Sequence, residues 1–308
     1  MKRKIALGWA GVAITVAFSE LWTYWGAFEN FHEGWYSGSL LDNLLMMLLQ
    51  YLSFPIAFVL LALIALKWKY AGLAAYLAAS GFCAWFFSGA QFSVAGLLIA
   101  LPLAALGFLF FFGDARPRGW ARALIVLLPL LTVLVISIPQ GIKISQRVDD
   151  GDLGLRVVEG NGVTLAWAPR GPGWPDEGVS WDEACQRCKY LSADGLTLME
   201  TEQNIWRLPT VDEAVRSMAL HGENAGGIWD AADEKASYER TPDKESPLWD
   251  VRAKTIYYWT GDASPRDAEQ AYIVVYDGGV YDRNKAYRLG YLSFRAVKDV
   301  TAESPRIQ

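Results

Sequence analysis

Histidine is almost missing from this chain of 308 residues, which has only His32 and His221. A zinc protease of the H-E-x-x-H type needs a second histidine that His32-Glu33 does not have. His221, followed by Gly222, reads as a helix-terminal histidine favoured by the helix dipole. Three cysteines, Cys83, Cys185 and Cys188, are too few for a disulfide framework. There is no phosphate-cradling glycine loop, no nucleophile elbow, no internal repeat and no low-complexity tract. Lysine and arginine are missing from every second gap between the long apolar runs of the first half. That absence orients the chain.

The apolar runs are residues 5–25, 44–66, 71–88, 92–112 and 123–142, each about 20 residues long as a bilayer span requires. The basic clusters are Lys2-Arg3-Lys4, Lys67-Trp68-Lys69, and Arg116-Pro117-Arg118 with Arg122. Gap 26–43 carries Glu29, Glu33 and Asp42 but no cation, and Gly89-Ala90-Gln91 is uncharged. The positive-inside bias then places the N-terminus in the cytoplasm. Trp22, Trp25 and Trp35 fall at the outer interface and Trp68 and Trp120 at the inner one. An odd number of spans puts everything after Lys143 outside the cytoplasm. If residues 1–19 were instead a signal peptide ending near Ala17 and Ser19, four spans would remain with the same downstream topology. The expected location is the cytoplasmic (inner) membrane, multi-pass, with an extracytoplasmic C-terminal domain.

The two halves differ in charge, +3 up to Ile142 and −8 beyond it. An acidic outer half argues against nucleic acid as a partner. Residues 143–155, with Asp149-Asp150-Gly151-Asp152, read as a polar stalk, 156–300 as one soluble domain, and 301–308 as a tail.

Within that domain, residues 162–167 alternate as a strand. Ser180 with Glu183 and Thr210 with Glu213 are capping boxes, each opening a helix. Ala184, Cys185, Cys188 and Leu191 lie on one apolar face of the first helix, which is expected to end near Asp194-Gly195. Val211, Ala214, Val215 and Met218 form the inner face of the second. Residues 222–254 read as a long ordered loop holding Trp229, Tyr238 and Trp249. Strands follow at 256–259, 271–276 and 291–297, with a hairpin turn at Asp277-Gly278.

Several of these pieces look familiar together: Trp181 to Cys188, the run Trp206-Arg207-Leu208-Pro209-Thr210, Tyr258-Trp259-Thr260, the Asp277 to Tyr281 hairpin, and Ser293-Phe294-Arg295-Ala296-Val297. In this order they resemble the Lcl C-terminal domain family, a bacterial family of unknown function. It is allied to the formylglycine-generating enzyme (sulfatase-modifying factor) superfamily, which has a C-type-lectin-like fold. The likeness covers about residues 163–298 and leaves the membrane half unrecognised. It implies a compact α+β domain in which the Trp206 to Thr210 run is framework and Arg207 pairs with an internal carboxylate or loop carbonyls. Oxidase members of the superfamily bind copper through a cysteine pair near the chain end, but residues 279–295 here contain no cysteine. Iron-dependent relatives need a histidine triad, which two histidines cannot supply. Members that bridge the first helix to the last strand use a cysteine where Ala296 stands.

The expected fold is therefore a helical membrane bundle of about five spans followed by an α+β C-type-lectin-like domain. The expected function is a membrane-anchored binding protein without catalytic activity, whose partners are the lipid bilayer and a protein, glycan or envelope ligand. Candidate ligand contacts are Tyr281, Asp282, Arg283, Asn284 and Tyr287, then Trp229 and Trp249, because Tyr, Trp and Arg carry binding energy. No cofactor is expected; Asp230, Asp233 and Asp262 are candidate calcium ligands without fixed spacing. Cys185 and Cys188 read as buried thiols or a local disulfide ahead of a redox pair. Glu20, the acidic residue inside a span, is the intramembrane candidate. Two alternatives stay open: an enzyme related to the formylglycine-generating oxidases with a non-standard site, and a transporter or membrane-complex subunit regulated by its outer domain.

Overall fold

A computed structural model describes residues 1–88, 94–174 and 178–300, which gather into two compact units, Met1–Ile142 and Lys143–Gln308. The turn expected at Gly89-Ala90-Gln91, the start of the run 92–112, part of the loop before Gly178, and the tail 301–308 lie outside the described residues.

The first unit is helical: α1 (Lys2–Glu33), α2 (Leu40–Met46), a π-helical turn (Met47–Tyr51), α3 (Ser53–Lys67), α4 (Lys69–Ser88), α5 (Val94–Phe112) and α6 (Arg118–Ser145). Among the described residues, α1, α4 and α6 are long and apolar enough to cross a membrane, and α2 with α3 makes a fourth if the bent pair is one span. The apolar stretch Gly96–Phe112 is shorter.

Two features differ from the sequence reading. Nothing after Trp25 stops α1, so Glu29, His32 and Glu33 are helical rather than in a loop, and the helix ends at Gly34, whose N–H still bonds the Asn30 carbonyl. The run 44–66 is not one rod but bends by 66° between its two helices. Pro55 has no N–H for the Tyr51 carbonyl four residues back, and its ring crowds that carbonyl. Gly26 of α1 fills the space beside it, where a Cβ would come within 2.2 Å of the Tyr51 oxygen. Close approach at small residues recurs at Gly8, against the backbone of Asp114 and Ala115, and at Gly72, against Ala65.

The second unit is β-rich. Strand β1 (Arg156–Gly160) pairs with β2 (Val163–Trp167) through the Asn161-Gly162 turn, and β2 pairs on its other side with β11 (Val297–Asp299). Helices α7 (Trp181–Tyr190) and α8 (Val211–Arg216) follow, each capped at the expected residue, Ser180 and Thr210. Two small ladders, β3 (Ala219–Leu220) with β4 (Glu223–Asn224) and β5 (Ile228–Asp230) with β6 (Lys235–Ser237), replace what reads in sequence as the end of the second helix and the start of a loop. The main sheet runs β10-β7-β8-β9, formed by β7 (Tyr257–Ala263), β8 (Gln270–Val275), β9 (Val280–Asn284) and β10 (Leu292–Ser293). Both of its faces are covered. Alternation sends Tyr258 and Val274 into one core with Trp167, Trp174 and Trp249, and sends Trp259 and Ile273 into another with Cys188, Trp206 and Phe294. Burial on both faces explains the unbroken apolar run along β8.

The closing strand expected at 291–297 is split into β10 and β11. Between them Arg295 turns wholly inward, bonding the carbonyls of Ala168, Pro247 and Leu248 and lying 4.3 Å from the Trp174 ring centroid. Residues 146–155, read as a stalk, are fastened along this unit. Arg147 bonds Asp243 at 2.8 Å, Arg170 N–H bonds the Leu153 carbonyl, and Leu153 packs on the core.

Candidate functional site

In the second unit, two motifs separate in sequence meet at one cleft of about 450 Å³, bringing Cys185, Cys188 and Lys189 of α7 together with Arg207, Thr210 and Asp262. The clamp on Arg207 defines its wall. Arg207 Nη1 and Nη2 donate to the two Glu213 oxygens at 2.6 and 2.7 Å, and Nη2 also donates to Asp299 Oδ1 at 2.8 Å. Glu213 Oε2 in turn accepts the Thr210 N–H at 2.8 Å, while Thr210 Oγ1 accepts the Glu213 N–H, completing a reciprocal helix cap. Asp262 Oδ2 accepts the next free donor, Val211 N–H, at 2.6 Å. Burial pushes the Glu213 carboxyl up, but the Arg207 guanidinium more than offsets this and holds it below its ordinary value. Trp206 is buried, its indole N–H on the Ser192 carbonyl, and Leu208 is buried beside it.

Cys185 and Cys188 are free thiols. Burial, then the nearby Asp182 charge, pushes Cys185 up to about 11, and burial pushes Cys188 higher still. At neutral pH both are therefore thiols rather than nucleophilic thiolates. Among the described residues no group of three or more His, Cys, Asp or Glu is placed to hold a metal ion. Of the calcium candidates, Asp230 spends Oδ1 on the Ala232 and Asp233 N–H groups of its own turn, while Asp262 caps α8.

The expected ligand contacts separate into two groups. Tyr281 and Tyr287 are 54% and 49% exposed, and Arg283 lies over the Tyr281 ring at 5.9 Å. They sit on β9, the outer strand of the sheet, and on the loop after it. Asp282 is not part of that surface, because strand alternation turns it to the other face, where it meets Ser264. Asn284 uses its side chain on the Ala286 N–H. Trp249 is core, 3% exposed and stacked 3.9 Å from Tyr258, so it is withdrawn as a ligand contact. Trp229 is partly buried, edge-on to Tyr272.

An ionic cluster escaped the sequence reading. Asp243, Lys244 and Glu245 are each at most 4% exposed. Asp243 holds Arg147, Lys244 Nζ donates to the Ala253 carbonyl, and Glu245 accepts the His221 N–H at 2.8 Å. Burial, then the Arg147 charge, lowers Lys244 to about 7, and burial raises Glu245. The only hint in sequence is the bracketing of this charged run by Pro242 and Pro247.

Comparison with protein-family models, curated proteins and solved structures finds no match. The likeness to the Lcl C-terminal domain family rests on the residue patterns alone.

In the helical unit, Glu20 on α1 accepts a hydrogen bond from Thr132 Oγ1 on α6 at 2.5 Å, and its other oxygen is shielded and unbonded.

Proposed function

We propose that this chain is a membrane-anchored recognition protein. Five spans hold a lectin-like domain outside the cytoplasmic membrane, where it binds a protein, glycan or envelope ligand and catalyses no reaction on it. The observation that carries this reading is the surface formed by Tyr281, Arg283 and Tyr287: two half-exposed aromatic rings and a guanidinium presented by the outer strand of the sheet and the loop after it. The orientation draws support from the basic clusters, which meet at one end of the helical unit. There the Lys4 carbonyl accepts the Asp114 N–H, Lys69 Nζ bonds the Gly113 carbonyl, and Arg116 and Arg118 flank Asp114.

The test compares full-length protein with a Tyr281→Ala/Arg283→Ala/Tyr287→Ala variant as baits in native membranes. Partners enriched by the first and lost by the second, at unchanged thermal stability, are the expected result; identical partner sets would reject this face. A reporter fused after Gln308 that is active only in the cytoplasm would reject the topology.

A second reading places an enzyme site in the cleft, because the thiol pair and Arg207 share it. Stoichiometric copper, iron or zinc in the purified protein would favour that reading.

A further inference from the structure

We infer that the cleft lined by α7, the Trp206 to Thr210 run and β7 binds a small zwitterion, a free α-amino acid with an aliphatic or thioether side chain. Such a site needs no reaction and no metal, which separates it from the enzyme reading of the same cleft. It depends neither on the Tyr281 face nor on the topology of the helical unit.

Three local features build the cleft. Positions three and four apart in a helix are neighbours, so Cys185, Cys188 and Lys189 of α7 turn two thiols and an ammonium the same way. Trp206 and Leu208, both buried, add apolar lining. The rest comes from a bulge in β7. Trp259 pairs with Ile273 and Ala263 with Ala271, so the three residues 260–262 stand against Tyr272 alone. A bulge re-aims the chain locally, and here the Gly261 N–H turns to the Pro209 carbonyl while Asp262 Oδ2 turns to the Val211 N–H.

The charges on this lining decide what fits it. Arg207 is held by Glu213 and Asp299, and Glu213 has both oxygens on Arg207. Among the described residues, Lys189 Nζ has neither an ion pair nor a hydrogen bond, and Asp262 has no cation beside it and keeps Oδ1 unbonded. One unpaired charge of each sign therefore lines the cleft, and the two do not pair with each other. A molecule carrying both signs satisfies both, its carboxylate at Lys189 and its ammonium at Asp262 Oδ1. The space of about 450 Å³ is at the small end of the roughly 300–1,000 Å³ typical of small-molecule sites. Trp206, Leu208 and the thiols then meet the side chain, and a charged side chain would lose hydration there without gaining a partner. Gly261 keeps the space open, since a Cβ there would have only ordinary contacts with Leu208 and Pro209, at 3.6 Å and beyond.

The test is isothermal titration calorimetry of the purified full-length protein in detergent with L-leucine and L-methionine. Two analogues run beside them: N-acetyl-leucine, which lacks the ammonium, and leucinamide, which lacks the carboxylate. Both amino acids are expected to bind, and each analogue to bind about tenfold more weakly than leucine. Lys189→Met should weaken leucine by a similar factor and leave leucinamide unchanged. Asp262→Asn, whose amide oxygen still accepts the Val211 N–H, should weaken leucine and leave N-acetyl-leucine unchanged. Gly261→Val should abolish binding by filling the cleft. In the wild type, saturating leucine should slow alkylation of Cys185 by N-ethylmaleimide, read by peptide mass spectrometry against Cys83, a readout that needs no variant to fold. No binding of either amino acid at millimolar concentration, analogues that bind as well as leucine, or Cys185 alkylation unchanged by leucine would each overturn the proposal. The Tyr281→Ala/Arg283→Ala/Tyr287→Ala variant is expected to bind leucine as the wild type does, so the recognition face and the cleft fail separately.

Discussion

In the second unit, each buried charge keeps at least one partner: Arg295 reaches three carbonyls with Nη2 left over, Asp243 holds Arg147, and Glu245 accepts the His221 amide, although the buried Ser217 and Thr255 hydroxyls bond nothing. In the helical unit, Ser19, Thr23 and Asn30 are equally buried and their side chains bond nothing. A buried polar group without a bond costs about 1–3 kcal/mol. Where partners exist, polar burial fixes the path of the chain: Arg295 ties three loop carbonyls to the point where the last strand divides. Where none exists, the cost brings no structural return.

The contrast can be broken most sharply at Arg295. Replacing it with leucine strands the carbonyls of Ala168, Pro247 and Leu248, with an expected loss of about 3–5 kcal/mol in denaturation of the full chain followed by tryptophan fluorescence. A loss below about 1 kcal/mol would mean that these bonds do not organise the unit.

Next in size is the pH dependence set by Lys244. Its value falls from 10.5 to about 7 on folding, so between those limits the unfolded chain binds a proton that the folded chain does not. Stability is therefore expected to rise as pH climbs from about 7 toward 10.5, by a few kcal/mol, and Lys244→Met should flatten that rise. Glu245 works in the opposite sense. Raised by burial, it contributes stability at acidic pH that is lost as pH rises through its folded value. Thermal melting against pH, wild type beside each variant, reads both slopes.

The smallest effect on stability falls in the helical unit. Thr23→Val removes a hydroxyl that bonds nothing, so stability should hold or rise by up to about 1 kcal/mol. Destabilisation as large as that of Arg295→Leu would erase the distinction between the two interiors.

Much of this was written locally in the sequence. Both helix starts in the second unit follow from Ser180 and Thr210, because a cap needs only residues three apart. The β8–β9 hairpin follows from Asp277-Gly278, with Gly278 at positive φ. Strand β1 was missed although Asn161-Gly162 signals its turn, because the opening strand was placed at residue 162 and its partner before the turn was not sought. The bend at Leu52 was legible in Pro55 but hidden by the hydrophobicity around it. Tyr281, Arg283 and Tyr287 were singled out by residue type, and the structure leaves the two tyrosines half-exposed. Asp282 was included wrongly for want of the strand's alternation, and Trp249 because a tryptophan in a polar stretch reads equally as surface or anchor. Asp243, Lys244 and Glu245 could not be placed inside by composition, since three adjacent charges read as solvated. Their burial is tolerated through partners distant in sequence: Arg147 and Lys143 pair with Asp243, and the His221 N–H bonds Glu245, while Lys244 reaches the Ala253 carbonyl.

The carboxylate of Glu213 serves two masters, closing the first turn of α8 through the Thr210 N–H and gripping Arg207 with both oxygens. The rim of the cleft therefore cannot move without unwinding a helix. A molecule docking there would meet a mould already cast. It would surrender its own freedom but ask little of the host, so discrimination among guests would rest on shape at first encounter rather than on any later rearrangement.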